Sequence, residues 1–413
     1  MIQQSNFFKI SVSSFVLTWI FLVVPLFDMV NGVLVVRGYI SEGGLFSPSK
    51  LGRLMTGVIL LWVAYRYRLQ PGWFCLFFVG VFFESIAGMR FGQVYGVVFG
   101  FITVYRLAYI WLLFTVLLYY ANQDVGVLGK FLKYNVVFIS LSIIFAHFTG
   151  LGNSTYGWGF GTKGFFASGN ALGIYLGGST LTLLAMKHYR IYTDIGKKTY
   201  LIAFLGIVLI GSKAAFLLAM LVLFFWVWFS VHRRIFILIF IVFAVGFSSY
   251  ILDVASVAFD VIIRRYHNSN SIVEFLSSGR IDYVLNAAAT LNEQKSELLR
   301  ILLGGGSFLS FQNPAEAVLY DTLEMDWADI FFMYGLVGLL FYCTFFISGI
   351  FFLKDKFFLL FVWIILLLHS VIAGHVIWNG MSIMLLSYLL ALGRAVQSNH
   401  KKAERLNRTL LKG

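Results

Sequence analysis

Two kinds of residue are scarce in this chain, and each scarcity excludes something. There are two cysteines in 413 residues, Cys75 and Cys343, both inside apolar runs. That leaves no disulfide framework and no zinc-ligand spacing. Charged residues make up 12% of the chain, about half the share of a soluble protein, while 60% is hydrophobic and the mean hydropathy is +0.87. Acids are rarer than bases, 18 against 31. The surplus of +13 does not point to nucleic acid, because the bases gather in short segments between apolar runs and in the tail "HKKAERLNRTLLKG". No HExxH, GxSxG or Walker pattern occurs, so zinc-dependent and nucleotide hydrolysis lack support. The first apolar run lacks a clear cleavage site for a signal peptide. No inverted repeat of the transporter kind stands out.

What is present is a series of apolar stretches near spanning length. Their spacing predicts an all-α, polytopic membrane protein of about twelve spans, near 7–27, 51–69, 72–89, 101–121, 134–149, 168–186, 199–211, 213–231, 235–256, 327–352, 357–372 and 378–396. This divides the chain into nine spans over 1–256, a polar loop over 257–326, three spans over 327–396 and a basic tail over 397–413. With the N-terminus inside, Lys9, Arg66, Arg68, Lys130, Lys133, Lys187, Arg190, Lys197, Lys198, Arg233, Arg234, Lys354, Lys356 and the tail fall on the cytoplasmic side. Both termini are therefore expected there, and the long loop outside. Within that loop "GRIDYVLNAAATL" has helical spacing with Ser278 as an N-cap, and Gly304–Gly306 mark a turn. A smaller outer segment, "GLGNSTYGWGFGTKGFFASGN", is rich in glycine and aromatics.

Charges at the outer ends of spans are the candidate functional residues. Lys213 follows the capping residue Ser212, Arg280 opens the loop helix, and Lys163 precedes another span. Cations at helix N-termini oppose the dipole unless an anion sits there, and such termini bind phosphate. Arg264 and Arg265 belong to the same face. Arg106 lies within a span, suited either to an anionic ligand or to pairing with Glu84. The block "DTLEMDWAD" gathers Glu324, Asp326 and Asp329 where the chain re-enters the membrane. Asp321 and Glu324 have capping-box spacing, and Asp326 and Asp329 share a helix face. At least one is a candidate general base for an acceptor hydroxyl, Glu324 or Asp326 ahead of Asp329. His375, in the last outer turn, could reach the same mouth.

Four segments resemble, in order, those of the O-antigen polymerase and ligase superfamily. They are "GTKGFFASGNALGIYL" with Asn170, "LIGSKAAFLLAML" with lysine where arginine is commoner, "SSGRIDYVLNAAATL…LLGGGSF", and "EMDWADIFFMYGLVGLLFY" with Gly335 and Gly338, together covering about residues 160–345. The resemblance implies a GT-C-like membrane glycosyltransferase of the bacterial cytoplasmic membrane. Its substrates would be undecaprenyl-diphosphate-linked glycans, its partners a flippase and a chain-length-regulating copolymerase, and no cofactor would be required, though carboxylates beside a diphosphate could hold Mg²⁺. Arg280 and Lys213, then Arg264, Arg265, Lys163 and Arg106, would bind the diphosphate, with Glu324 or Asp326 acting on the acceptor. Ligases carry a histidine in the re-entry block. This block has none, which favours a Wzy-type polymerase over a ligase. A lipid-linked-oligosaccharide flippase is the alternative of a different class.

Overall fold

The computed structural model describes residues 11–41, 47–70, 72–91, 94–155, 161–230, 264, 266–268, 271–277, 279–292, 297–307 and 322–410. The ninth expected span (235–256), Ser278 and Arg265 lie outside the described residues. Among the described residues the chain is almost wholly helical and forms no strand. In chain order the helices are α1 (Val12–Val36), α2 (Pro48–Arg66), α3 (Gly72–Phe91), α4 (Val94–Gln123), α5 (Val125–Thr149), α6 (Gly169–His188), α7 (Lys197–Ile210) and α8 (Lys213–Trp228). They continue with α9 (Ile272–Ser277), α10 (Arg280–Asn292), α11 (Glu297–Leu303), α12 (Asp326–Leu353), α13 (Phe357–Ile372) and α14 (Gly380–Leu410).

Among the described residues five segments are long and apolar enough to cross a membrane: Val12–Val36, Gly100–Gln123, Val125–Thr149, Asp326–Leu353 and Gly380–Ser398. Cys75–Ala87, Lys213–Trp228 and Phe357–Ile372 are shorter apolar helices. The architecture is that of a multi-pass membrane protein.

Some boundaries differ from the hydropathy reading for physical reasons. α1 starts at Val12 because Ser11 caps it, its hydroxyl accepting the Ser14 amide at 3.2 Å. It runs past Asp28 to Val36 because that acid is neutralised by Arg53 of α2, at 2.8 Å. At the other end of the chain, α14 carries the expected tail onward as helix to Leu410.

α6 is the central helix. Every residue from Ala171 to Met186 is buried, against α5, α7, α8, α13 and α14. Its small residues permit this. A Cβ on Gly177 would stand 2.5 Å from Leu218 of α8, and one on Gly178 2.7 Å from Leu385 of α14. Helices in lipid gain nothing from hydrophobic exclusion, so close backbone approach and interhelical hydrogen bonds hold them together. Here Tyr175 donates to Asn135 Oδ1 at 2.6 Å, while the Asn135 amide donates to the Phe21 carbonyl.

α12 is broken at Gly335, whose φ of 64° and ψ of −156° are not helical. The Gly304–Gly306 turn after α11 fills the break. The Gly305 and Gly306 amides donate to the Phe332 and Met333 carbonyls, each at 2.9 Å. Carbonyls freed by a helix break in an apolar setting need such partners. The two backbones lie so close that a Cβ on Gly304 would stand 2.2 Å from the Met333 oxygen, and one on Gly335 2.4 Å from Leu302. Glu84 of α3 secures the junction: it accepts the Tyr334 hydroxyl at 2.7 Å and the Ser307 amide at 3.2 Å. Among the described residues no ion pair joins Glu84 to Arg106, so the sequence-based pairing is replaced by this junction.

Candidate functional site

The site is built where the strand of chain entering α12 meets the turn between α13 and α14. Two aspartates bracket it. Asp329 Oδ1 accepts the Leu323 amide at 2.7 Å, folding the 322–325 segment back onto its own helix. Asp326 Oδ2 accepts the Ser370 hydroxyl at 2.6 Å and the Val376 and Ile377 amides at 2.9 and 3.1 Å. Both carboxylates are buried in the first turn of α12, where the dipole favours negative charge. Trp327 adds a bond from its indole nitrogen to the Val371 carbonyl at 3.2 Å.

Between these brackets stand two strained residues that face each other. Glu324 and His375 have φ of 57° and 62°, left-handed values uncommon for residues with a side chain. Strain of this kind costs about 1–3 kcal/mol per residue and persists where surrounding contacts impose it. Those contacts are the two aspartate brackets and Gly374, where a Cβ would stand 2.3 Å from the Glu324 carbonyl. The capping-box reading fails for the same reason: α12 starts at Asp326 after Met325, which makes no side-chain cap, and Asp321 lies outside the described residues. Glu324 is left free of the helix to reach across the loop.

It reaches Arg280. Glu324 Oε2 lies 2.9 Å from Arg280 Nε and 2.8 Å from its NH2, a two-nitrogen contact on one oxygen. Arg280 NH1 donates to the Ser277 carbonyl at 3.2 Å. Lys213 Nζ donates to the Phe275 carbonyl at 2.9 Å and sits 4.0 Å from the Phe275 ring centre. Both cations therefore converge on the carbonyl end of α9, an element the sequence did not disclose. Ser212 does cap α8 as expected, accepting the Ala215 amide at 3.2 Å.

His375 Nε2 is 3.8 Å from Glu324 Oε2, too long for a hydrogen bond but close enough for charge to act. The Glu324 carboxyl is held down at about 2, by His375 first and Arg280 after it, against the opposing effect of partial burial. A carboxylate so weakly basic is a poor proton acceptor and a good holder of cations. The imidazole of His375, close to that carboxylate but not bonded to it, is the other group here able to take a proton.

The remaining candidates are dispersed. Lys163 follows Thr162, whose amide bonds the Leu209 carbonyl, while the Thr155 hydroxyl bonds the Ile210 carbonyl, both just before Lys213. Asn170 is exposed at the second position of α6, and Arg264 is exposed. Arg106 stands with Lys50 and near Tyr334, in a different part of the molecule. His369 is half-buried in the last turn of α13 with its Nε2 enclosed and unpartnered, within electrostatic reach of His375 and Arg280. Beside the α12 break an apolar groove of about 120 Å³ opens between α3, α4 and α12, lined by Leu76, Phe83, Leu107, Tyr334 and Phe341 among others.

No family model matches the chain, and no curated protein matches it in sequence. The functional reading therefore stands on these residues and on the short motifs.

Two outcomes follow from the geometry. Replacing Asp326 by alanine strands a hydroxyl and two amides and is expected to cost about 3–5 kcal/mol, read as a lowered melting temperature of the purified protein. The Arg280–Glu324 pair is expected to be insensitive to pH between 5 and 8. Glu324's folded pKa lies below its ordinary value, so its stabilisation is present above about 4.5 and disappears as pH falls through about 2. An acid melting series should show this loss in the wild type and not in Glu324→Gln.

Proposed function

We propose that the protein is a GT-C-like glycosyltransferase that joins undecaprenyl-diphosphate-linked repeat units into an O-antigen or capsule-type polysaccharide. It would act at the outer face of the bacterial cytoplasmic membrane, with about twelve spans and both termini inside. The observation that carries this reading is the convergence of Arg280, Lys213, Glu324 and His375 at one end of the bundle. A hydroxyl of the acceptor sugar attacks the anomeric carbon of the donor glycan, and undecaprenyl diphosphate departs with the bonding electron pair. Arg280 and Lys213 supply cations for the leaving diphosphate. His375, which stands beside Glu324, takes the hydroxyl proton, and Asp326 and Asp329 position the segment that carries Glu324. A diphosphate that draws Arg280 away would leave Glu324 more basic, coupling substrate binding to the His375–Glu324 pair. The apolar groove beside the α12 break suits a prenyl chain.

His375 also supports a second reading. The histidine expected of a ligase is missing from the re-entry block, yet one reaches the same place from the neighbouring turn. Size-resolved surface glycan separates the readings: loss of a polymerase leaves single repeat units attached, loss of a ligase leaves long polymer on the carrier, and loss of a flippase leaves neither at the surface. Unaltered glycan ladders in a deletion strain would refute all three.

A further inference from the structure

The short helix α11 carries its apolar residues on the outside. Among its described side chains, Leu298, Leu299, Ile301 and Leu302 are exposed, Leu298 at 72%, while Arg300 is buried at 8%. A helix lying on a protein in water shows the reverse, with apolar residues inward and charge outward. α10, in the same loop, has the ordinary mixed surface: beside Tyr283 and Leu285 it exposes Asp282 and Asn286. The reversal is therefore a property of α11 and not of the loop as a whole.

Its position explains the reversal. The Gly304–Gly306 turn that ends α11 bonds the Phe332 and Met333 carbonyls of α12. Met333 lies two turns past Asp326, about 10 Å along the helix axis, inside a segment long and apolar enough to cross a membrane. The backbone of Leu302 packs against Gly335, and the next residues of α12, Leu336 and Val337, are exposed, as is Leu340 one turn on. The outward face of α11 thus continues the apolar surface of a spanning helix. Irregular backbone is tolerated at such depth only where protein satisfies it. The turn meets that condition: Gly305, Gly306 and Ser307 are buried, with their amides on the Phe332 and Met333 carbonyls and on Glu84.

We infer that α11 is a re-entrant helix whose partner is lipid. Leu298, Leu299, Ile301 and Leu302 stand among the acyl chains of the leaflet that α12 enters at Asp326. Acyl chains fit this face better than a soluble protein partner, because the same apolar surface runs on along α12 beyond the depth such a partner reaches. The loop that carries Arg280 is then held to the bilayer by α11 as well as by the spans at its two ends. The inference rests on the multi-pass architecture and not on glycosyl transfer.

The test uses full-length protein in phosphatidylcholine nanodiscs, with Cys75→Ala and Cys343→Ala removing the two native thiols, both exposed. Leu298→Cys and Leu302→Cys report on α11, Asn286→Cys on α10 and Leu340→Cys on α12. Each is reacted with a water-soluble maleimide. In a second series each carries a nitroxide, whose collisions with oxygen and with a water-soluble nickel chelate are compared. A thiol among acyl chains ionises less and meets less reagent, so the α11 thiols should react at least about tenfold more slowly than that of Asn286→Cys. Their nitroxides should match that of Leu340→Cys, open to oxygen and closed to nickel. Reaction as fast as Asn286→Cys would place α11 in water and overturn the proposal. Nitroxides closed to both oxygen and nickel would mean cover by protein, a second copy or another segment of this chain, and would overturn it equally. Leu299→Cys and Ile301→Cys, also exposed on α11, replace either variant that is not monodisperse.

Discussion

Arg280→Ala is expected to abolish polymer while leaving single repeat units at the surface. The expected fall in polymerisation rate is roughly 10²–10³-fold, the effect of removing one preorganised group that stabilises charge in a transition state. The protein should still fold. Arg280 makes its bonds to a Glu324 side chain that is 41% exposed and to one carbonyl, so its loss strands no fully buried charge. Arg280→Lys retains the charge and loses the two-nitrogen contact to Glu324, and should keep part of the activity. Size-resolved glycan, with expression checked in the membrane fraction, reads both variants. A full ladder from Arg280→Ala at normal expression would contradict the assignment of Arg280.

The largest effect on folding is expected from Gly304→Ala. Gly304 has φ of 76° and its added Cβ would meet the Met333 carbonyl oxygen at 2.2 Å. Backbone cannot yield as a flexible side chain can, so the turn must leave the α12 break. The Phe332 and Met333 carbonyls would then lose the Gly305 and Gly306 amides in an apolar setting. Together with the backbone strain this amounts to about 4 kcal/mol or more. Fluorescence-detected size exclusion should show loss of the monodisperse peak or a large fall in melting temperature. Gly72→Ala, where nothing lies within 4 Å of an added Cβ, should change little. A monodisperse Gly304→Ala protein with unchanged melting temperature would contradict the docking of the two glycine segments.

Much of the helix order was readable because apolar runs and capping serines are local signals. Ser212 before Lys213 and the Gly304–Gly306 turn are cases in point. The α12 break was not readable. Gly335 looks like half of a small-residue pair until the triglycine turn, some thirty residues earlier, is placed against it. The three carboxylates of the re-entry block were legible as an anomaly but not in their roles. Only the hydrogen bonds to Leu323, Ser370, Val376 and Ile377 show Asp326 and Asp329 as brackets and leave Glu324 facing Arg280. His375 was visible only as a candidate; its opposition to Glu324 depends on two strained backbones that no pattern announces.

The central claim is that the Arg280, Lys213, Glu324 and His375 constellation joins carrier-linked repeat units. Purified protein in liposomes, supplied with undecaprenyl-diphosphate-linked oligosaccharide carrying a label on its sugar, tests it most directly. The account predicts labelled products longer by whole repeat units with release of undecaprenyl diphosphate, both lost in Arg280→Ala and in His375→Ala. Label that stays in single units with the wild-type protein, while undecaprenyl diphosphate remains bound to it, would contradict the account.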